Sequence, residues 1–90
     1  MQFEYDPDKS AANFAKHGID FEQAQALWKD TKRYEIPSDE GPEERWLVIG
    51  MIENRLWTAV YTLRGEIIRI ISVRRARVNE VKEYGSQDAN

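Results

Sequence analysis

Hydrophobic and polar residues alternate along this chain in two different rhythms, and the change of rhythm divides it. "FEY" (Phe3–Tyr5) has aromatics at alternate positions and predicts a short strand. Asp6 followed by Pro7 is a helix start: a carboxylate cap, then proline at the first helical position. The helix is expected through "DKSAANFAKH" and to stop at Gly18. Asp20 with Gln23 restarts a helix in capping-box style, and Phe21, Ala24, Leu27 and Trp28 give it one apolar face. From Lys32 the period becomes two. "KRYEI", "RWLVIGMIE", "RLWTAVYTL" and "IIRIISV" read as strands, with Glu53-Asn54-Arg55 and "RGE" as connections. "PSDEGPEE" between the first two is expected to be a mobile acidic loop. "ARVNEVKEY" predicts a closing helix that docks through Val78, Val81 and Tyr84, since so short a helix needs tertiary support.

The expected architecture is therefore α+β: a small N-terminal strand, two helices, a four-stranded antiparallel meander and a C-terminal helix. The helices cover one face of the sheet and the other is open to a ligand. Residues 1–85 form one domain and 86–90 a disordered tail. The 90 residues and 41% hydrophobic content suit a single folded core. The absence of cysteine excludes a disulfide framework and thiolate metal sites. With no secretion-type start and no long apolar run, the sequence reads as a soluble cytoplasmic protein.

The net charge of −3 argues against a nucleic-acid partner until its distribution is considered. Residues 1–44 hold eleven acids and five bases; residues 45–90 hold five acids and eight bases. Five arginines (64, 69, 74, 75 and 77) face a single acid, Glu66, within the segment Arg64–Arg77. Strict alternation would place Ile68, Ile70, Ser72 and Arg74 on one side of the last strand, and Arg69, Ile71, Val73 and Arg75 on the other. Such a cluster needs a counter-charge, which an acidic segment, a partner protein or phosphate could supply. Guanidinium suits phosphate because its planar fork donates paired hydrogen bonds.

In the first helix Lys9, Asn13, Lys16 and His17 recur at helical spacing as a polar stripe, with Ala11, Phe14 and Ala15 facing away. A solvated face explains most such stripes, and a histidine at a helix end gains from the macrodipole. Histidine is also the side chain that titrates nearest neutrality, and His17 is the only one here. A metal site, a glycine-rich phosphate loop and a serine triad at Ser72 find no supporting motif. Trp28, Trp46 and Trp57 are read as core, with Trp57 able to stack a base as well.

"FEYDPDKSAANFAKHGIDFEQA", followed by "EER", "YTLRG" and "RIISVRRA", resembles the BrnT toxins of bacterial type II toxin–antitoxin systems from Phe3 to about Tyr84. The resemblance implies a RelE-like fold and a ribonuclease that needs no metal or other cofactor. It also implies a ribbon-helix-helix antitoxin (BrnA-like) that silences the toxin and carries it to operator DNA, with no membrane partner. The family pattern falls on Lys9, Asn13, Lys16, His17 and Gly18; on Arg45, Arg64, Arg69, Ser72, Arg74 and Arg75; and on Glu80 and Tyr84.

On this reading RNA is cleaved by attack of its own 2′-hydroxyl, which halts translation and growth. His17, Arg64, Arg74 and Arg75 are the expected catalytic residues; Lys9, Asn13, Lys16 and Arg69 are expected to bind RNA. Alanine at Arg74 or Arg75 is then expected to abolish cleavage with little change in thermal midpoint. A second class stays open at this point: an inactive module that docks a partner antitoxin through the basic strip.

Overall fold

The computed structural model describes residues 1–39, 41 and 43–86. Residues 40 and 42 of the expected acidic loop, and residues 87–90 of the expected tail, lie outside the described residues. The elements are β1 (Gln2–Glu4), α1 (Pro7–His17), a 3-10 helix (Gln23–Lys29), β2 (Tyr34–Ser38), β3 (Arg45–Ile52), β4 (Arg55–Arg64), β5 (Ile67–Arg75) and α2 (Val78–Ser86). The class is α+β. Strands β2 to β5 pair antiparallel in chain order, and β1 joins the β5 edge in parallel, giving the five-stranded order β1-β5-β4-β3-β2. Asp6 caps α1 by accepting the backbone N–H groups of Asp8 and Lys9. Gly18 ends α1 at φ 79°, a left-handed conformation that costs glycine no Cβ clash.

The second helical segment departs from expectation in its winding. Asp20 and Gln23 do exchange capping-box bonds, each side chain accepting the other's backbone N–H at 2.7 and 2.9 Å. The chain then winds as a 3-10 helix instead of an α-helix. Three residues per turn place Ala24 and Leu27 in a single row, and both are buried, as is Phe21 in the turn before the helix. That row lies close on β3: a Cβ at Gly50 would sit 3.1 Å from Leu27 Cδ2. The core forms here, with Trp28 packed edge-on between Phe3 and Tyr61 at ring separations of 5.1 and 5.3 Å.

A β-bulge changes the faces of β5. Val60 pairs with Ser72 but Tyr61 pairs with Ile70, so Ile71 is an extra residue and the alternation reverses beyond it. Ile68, Ile70, Val73 and Arg75 share the face of Trp57, Ala59 and Tyr61; Arg69, Ser72 and Arg74 share the face of Thr62, Val60 and Thr58. The expected grouping of Val73 with Arg69, and of Arg74 with Ile70, is thus corrected.

α1 also turns differently from a simple amphipathic helix. Its buried residues are Ser10 and Asn13, with His17 partly buried one turn on, while Phe14 is 51% exposed. Among the described residues β5 has no strand on its β1 side beyond Arg69, and α1 supplies a partner there. Asn13 Nδ2 donates to the Val73 carbonyl at 3.0 Å and its Oδ1 accepts the Val73 N–H at 3.2 Å, as a neighbouring strand would. Nδ2 also donates to the Ile19 carbonyl at 2.8 Å. Ser10 Oγ accepts the Phe21 N–H.

Helices lie on both faces of the sheet, not one. α2 packs on the side opposite α1 through Glu80 and Tyr84, whereas Val78 is 75% exposed and Val81 is also exposed. The predicted face of Val78, Val81 and Tyr84 therefore does not dock as a unit. Polar anchors at i and i+4 set the helix rotation.

Replacing Asn13 by alanine removes three buried hydrogen bonds and strands the Val73 N–H and the Ile19 carbonyl. The expected loss is about 2–4 kcal/mol, seen as a lower denaturant midpoint with an unchanged slope. Aspartate should not rescue it, because a carboxylate cannot donate to two carbonyls.

Candidate functional site

The arginines of β5 and its neighbours separate into three groups, and each has its own counter-group. At one end, Glu4 lies opposite Arg69 in the β1–β5 register, and Arg69 Nη1 donates to Glu4 Oε2 at 2.7 Å. Arg64 Nε lies 3.9 Å from the same oxygen, with more than half of its side chain exposed. Nothing in the sequence singles out Glu4, because the parallel pairing of β1 with β5 leaves no local signature.

The second group is Arg74 with Glu80. Arg74 Nη1 and Nη2 donate to the two Glu80 carboxylate oxygens at 2.7 and 2.9 Å, a bidentate fork. The Arg77 N–H and the Thr58 hydroxyl donate to Glu80 Oε1 as well, at 2.8 and 2.9 Å. Burial pushes the Glu80 pKa up, but the Arg74 bonds, the Arg77 N–H and the Thr58 hydroxyl outweigh it and hold the pKa at about 2. Four residues on, the Tyr84 hydroxyl donates to Asp30 Oδ2 at 2.7 Å, and that oxygen also accepts the Met51 N–H at 2.8 Å. Burial opposes ionisation of Asp30 too, yet the donors of Met51, Tyr84 and Lys32 prevail and lower its pKa. Arg74 is therefore partly buried and serves to seat α2.

The third group surrounds Trp57. Arg75 pairs with Trp57 across the β4–β5 ladder, and its Cζ lies 5.4 Å from the indole centroid. Gly18, directly after His17, lines a cleft of about 370 Å³ with Trp57, Arg55 and the β3–β4 turn. The turn itself is a two-residue loop in which Glu53 and Asn54 both have positive φ, which matches the strand twist. The C-terminal end of α1 thus lies at the Arg75 end of β5. Lys16 and His17 occupy that last turn, with Lys16 exposed and His17 partly buried.

The structure brings together some of the expected residues and separates others. His17, Lys16 and Arg75 share one end of the molecule. Arg64 pairs with Ile67, seven residues from Arg74 along β5, or roughly 23 Å at about 3.3 Å per residue. Arg74 and Arg75 point to opposite faces of the sheet. The expected convergence of Arg64, Arg74 and Arg75 on one phosphate is not formed. Asn13 is 8% exposed with its amide wholly engaged, and Lys9 is exposed near the start of α1. Arg55 also stands at this end and belongs to no motif; its place after a two-residue hairpin turn is the only local cue to it.

The Arg74–Glu80 geometry reverses the expectation that alanine at Arg74 leaves stability untouched. Removing either partner leaves a buried charge, and a loss of about 3 kcal/mol is expected. The folded pKa of Glu80 lies below the unfolded value near 4.5, so its contribution is complete above about pH 5 and fades as pH falls toward 2. The stability advantage of wild type over Glu80→Gln should accordingly shrink by about 3 kcal/mol across that window. Denaturant titrations of both proteins from pH 6 to pH 2 measure it.

None of the helices is long and apolar enough to cross a membrane among the described residues. No curated protein matches the chain. A family model described as "Ribonuclease toxin, BrnT, of type II toxin-antitoxin system" matches residues 5–80, a span that contains α1, the whole antiparallel part of the sheet and Glu80. The chain belongs to the BrnT family of ribonuclease toxins of type II toxin–antitoxin systems.

Proposed function

We propose that this chain is a metal-independent endoribonuclease of RelE-like design. It acts in the cytoplasm on RNA to stop translation and growth, and a ribbon-helix-helix antitoxin of BrnA type holds it silent at operator DNA. The observation that carries the site assignment is the distribution of counter-charge. Arg69 and Arg74 are neutralised by Glu4 and Glu80. Arg75, Arg55, Lys16 and His17, at the Trp57 end, form no ion pair among the described residues, and the single carboxylate lining the cleft there, Glu53, faces this larger number of cations. Uncompensated cations are what holding a phosphodiester requires; Trp57 itself is buried in the core and holds the Arg75 guanidinium at the edge of the cleft.

In the proposed reaction the ribose 2′-oxygen attacks phosphorus and the bond to the 5′-oxygen breaks. The products are a 2′,3′-cyclic phosphate and a free 5′-hydroxyl. His17 removes the 2′ proton, Arg75 stabilises the phosphorane charge, and Lys16 returns a proton to the leaving oxygen. Arg74, fixed by Glu80, positions the end of β5. Arg64 and Arg69, gathered about Glu4 on the other face of the sheet, take no part at the cleavage point, and Lys9 lies at the far end of α1. Asn13 acts through β5 and not on RNA.

Purified protein incubated with RNA in excess chelator, with end mapping of the products, tests the proposal. Cyclic phosphate ends are expected, with rates reduced about 100-fold or more by His17→Ala and by Arg75→Ala. Both substitutions should lower the thermal midpoint by no more than about 5 °C, since neither removes a buried hydrogen bond and each gives up less than about 1 kcal/mol. Unchanged cleavage by both variants would remove this site. RNA left intact by wild type, with antitoxin binding retained, would place the chain among inactive docking modules.

A further inference from the structure

α1 carries two stripes at helical spacing, and the polar one faces the protein. Asn13 is turned to β5 by its bonds to Val73, Ser10 is buried against the Phe21 N–H, and His17 is partly buried one turn beyond Asn13. Pro7, Ala11 and Phe14 instead line an open groove of about 450 Å³ together with Tyr5 and, at its floor, Ser10. Phe14 is half exposed, although its ring is the largest apolar side chain on the helix. An open groove with an apolar lining offers room for the side chains of a docking segment.

The charge at the rim selects the occupant. Asp20 and Glu22 line the groove and, among the described residues, no lysine or arginine does; Lys9 and Lys16 lie on the other flank of α1. Like charges at the rim disfavour RNA. They also disfavour a second copy of this chain, which would bring the same acids face to face. They favour a cation-bearing segment whose apolar side chains enter beside Phe14.

We propose that the outer groove of α1 binds a basic amphipathic helix of a protein partner. Identifying that partner with the antitoxin rests on the toxin function proposed for this chain, whereas the groove's preference does not. Because His17 ends the same helix, an occupant here would sit beside the proposed catalytic end.

Two helical peptides with identical leucine spacing, one with lysine and one with glutamate at the polar positions, are the probes. Fluorescence anisotropy with the full chain should show binding of the leucine–lysine peptide and little of the other. Phe14→Ser should weaken it about tenfold or more. Glu22→Lys should weaken it as well and admit the glutamate peptide. Leu63→Ser, an equally exposed apolar position outside the groove, should change nothing. Equal binding of both peptides, indifference to Phe14→Ser, or a concentration-dependent dimer that Phe14→Ser abolishes would each overturn the proposal. Ribonuclease assays on the same proteins separate the two readings. Peptide binding by a wild type that cleaves no RNA would remove the toxin mechanism alone, and cleavage without selective peptide binding would remove the groove alone.

Discussion

One side-chain amide determines how this molecule is put together. β1 is only three residues long, so β5 would leave its backbone groups unpaired beyond Arg69. Asn13 answers the Val73 N–H and carbonyl together, as a strand would, from a helix that runs along the edge. A buried backbone pair without such partners would cost several kcal/mol. The rotation of α1 is set by that bond: Ser10 and His17 turn inward with Asn13, and Phe14 must turn outward. The hydrophobic effect alone would have chosen the other face.

The same principle arranges the arginines. A small acidic domain cannot keep five guanidinium groups in one place without a counter-charge. Glu4 and Glu80 neutralise two of them on one face of the sheet, and the Trp57 ring accommodates a third on the other. The bulge at Ile71 makes this division possible, because it sends Arg74 and Arg75 to opposite sides relative to the strand's first half. Arg64 stays beside Glu4 at the other end, while Arg75 joins Arg55, Lys16 and His17 at the end of β5 where α1 finishes. Structure and function thus divide the arginines by whether an acid is within reach.

α2 repeats the theme on the other face of the sheet. Its attachment is made by two carboxylates, Glu80 and Asp30, each saturated by donors, and not by its valines. Such attachment gives directional precision for a helix too short to hold itself, and makes it sensitive to acid in a way an apolar contact would not be. It also leaves Val78 and Val81 on the surface, so two helices of this protein expose apolar residues while presenting polar ones to the sheet.

Local patterns were enough to place every strand and helix to within a few residues, because caps, turn residues and period depend on near neighbours. Asp6-Pro7, the Asp20–Gln23 exchange, Gly18 and the Glu53-Asn54 turn all behave as their side chains require. The family, too, could be read from "KHGIDFEQA" with "RIISVRRA". Long-range pairing left no such mark. The parallel seat of β1, the reversed faces after Ile71, the inward turn of Asn13 and the acids chosen by Arg69 and Arg74 each join residues far apart in the chain. Their geometry depends on which backbone groups would otherwise go unpaired in the folded sheet, a quantity that does not exist until the sheet is assembled.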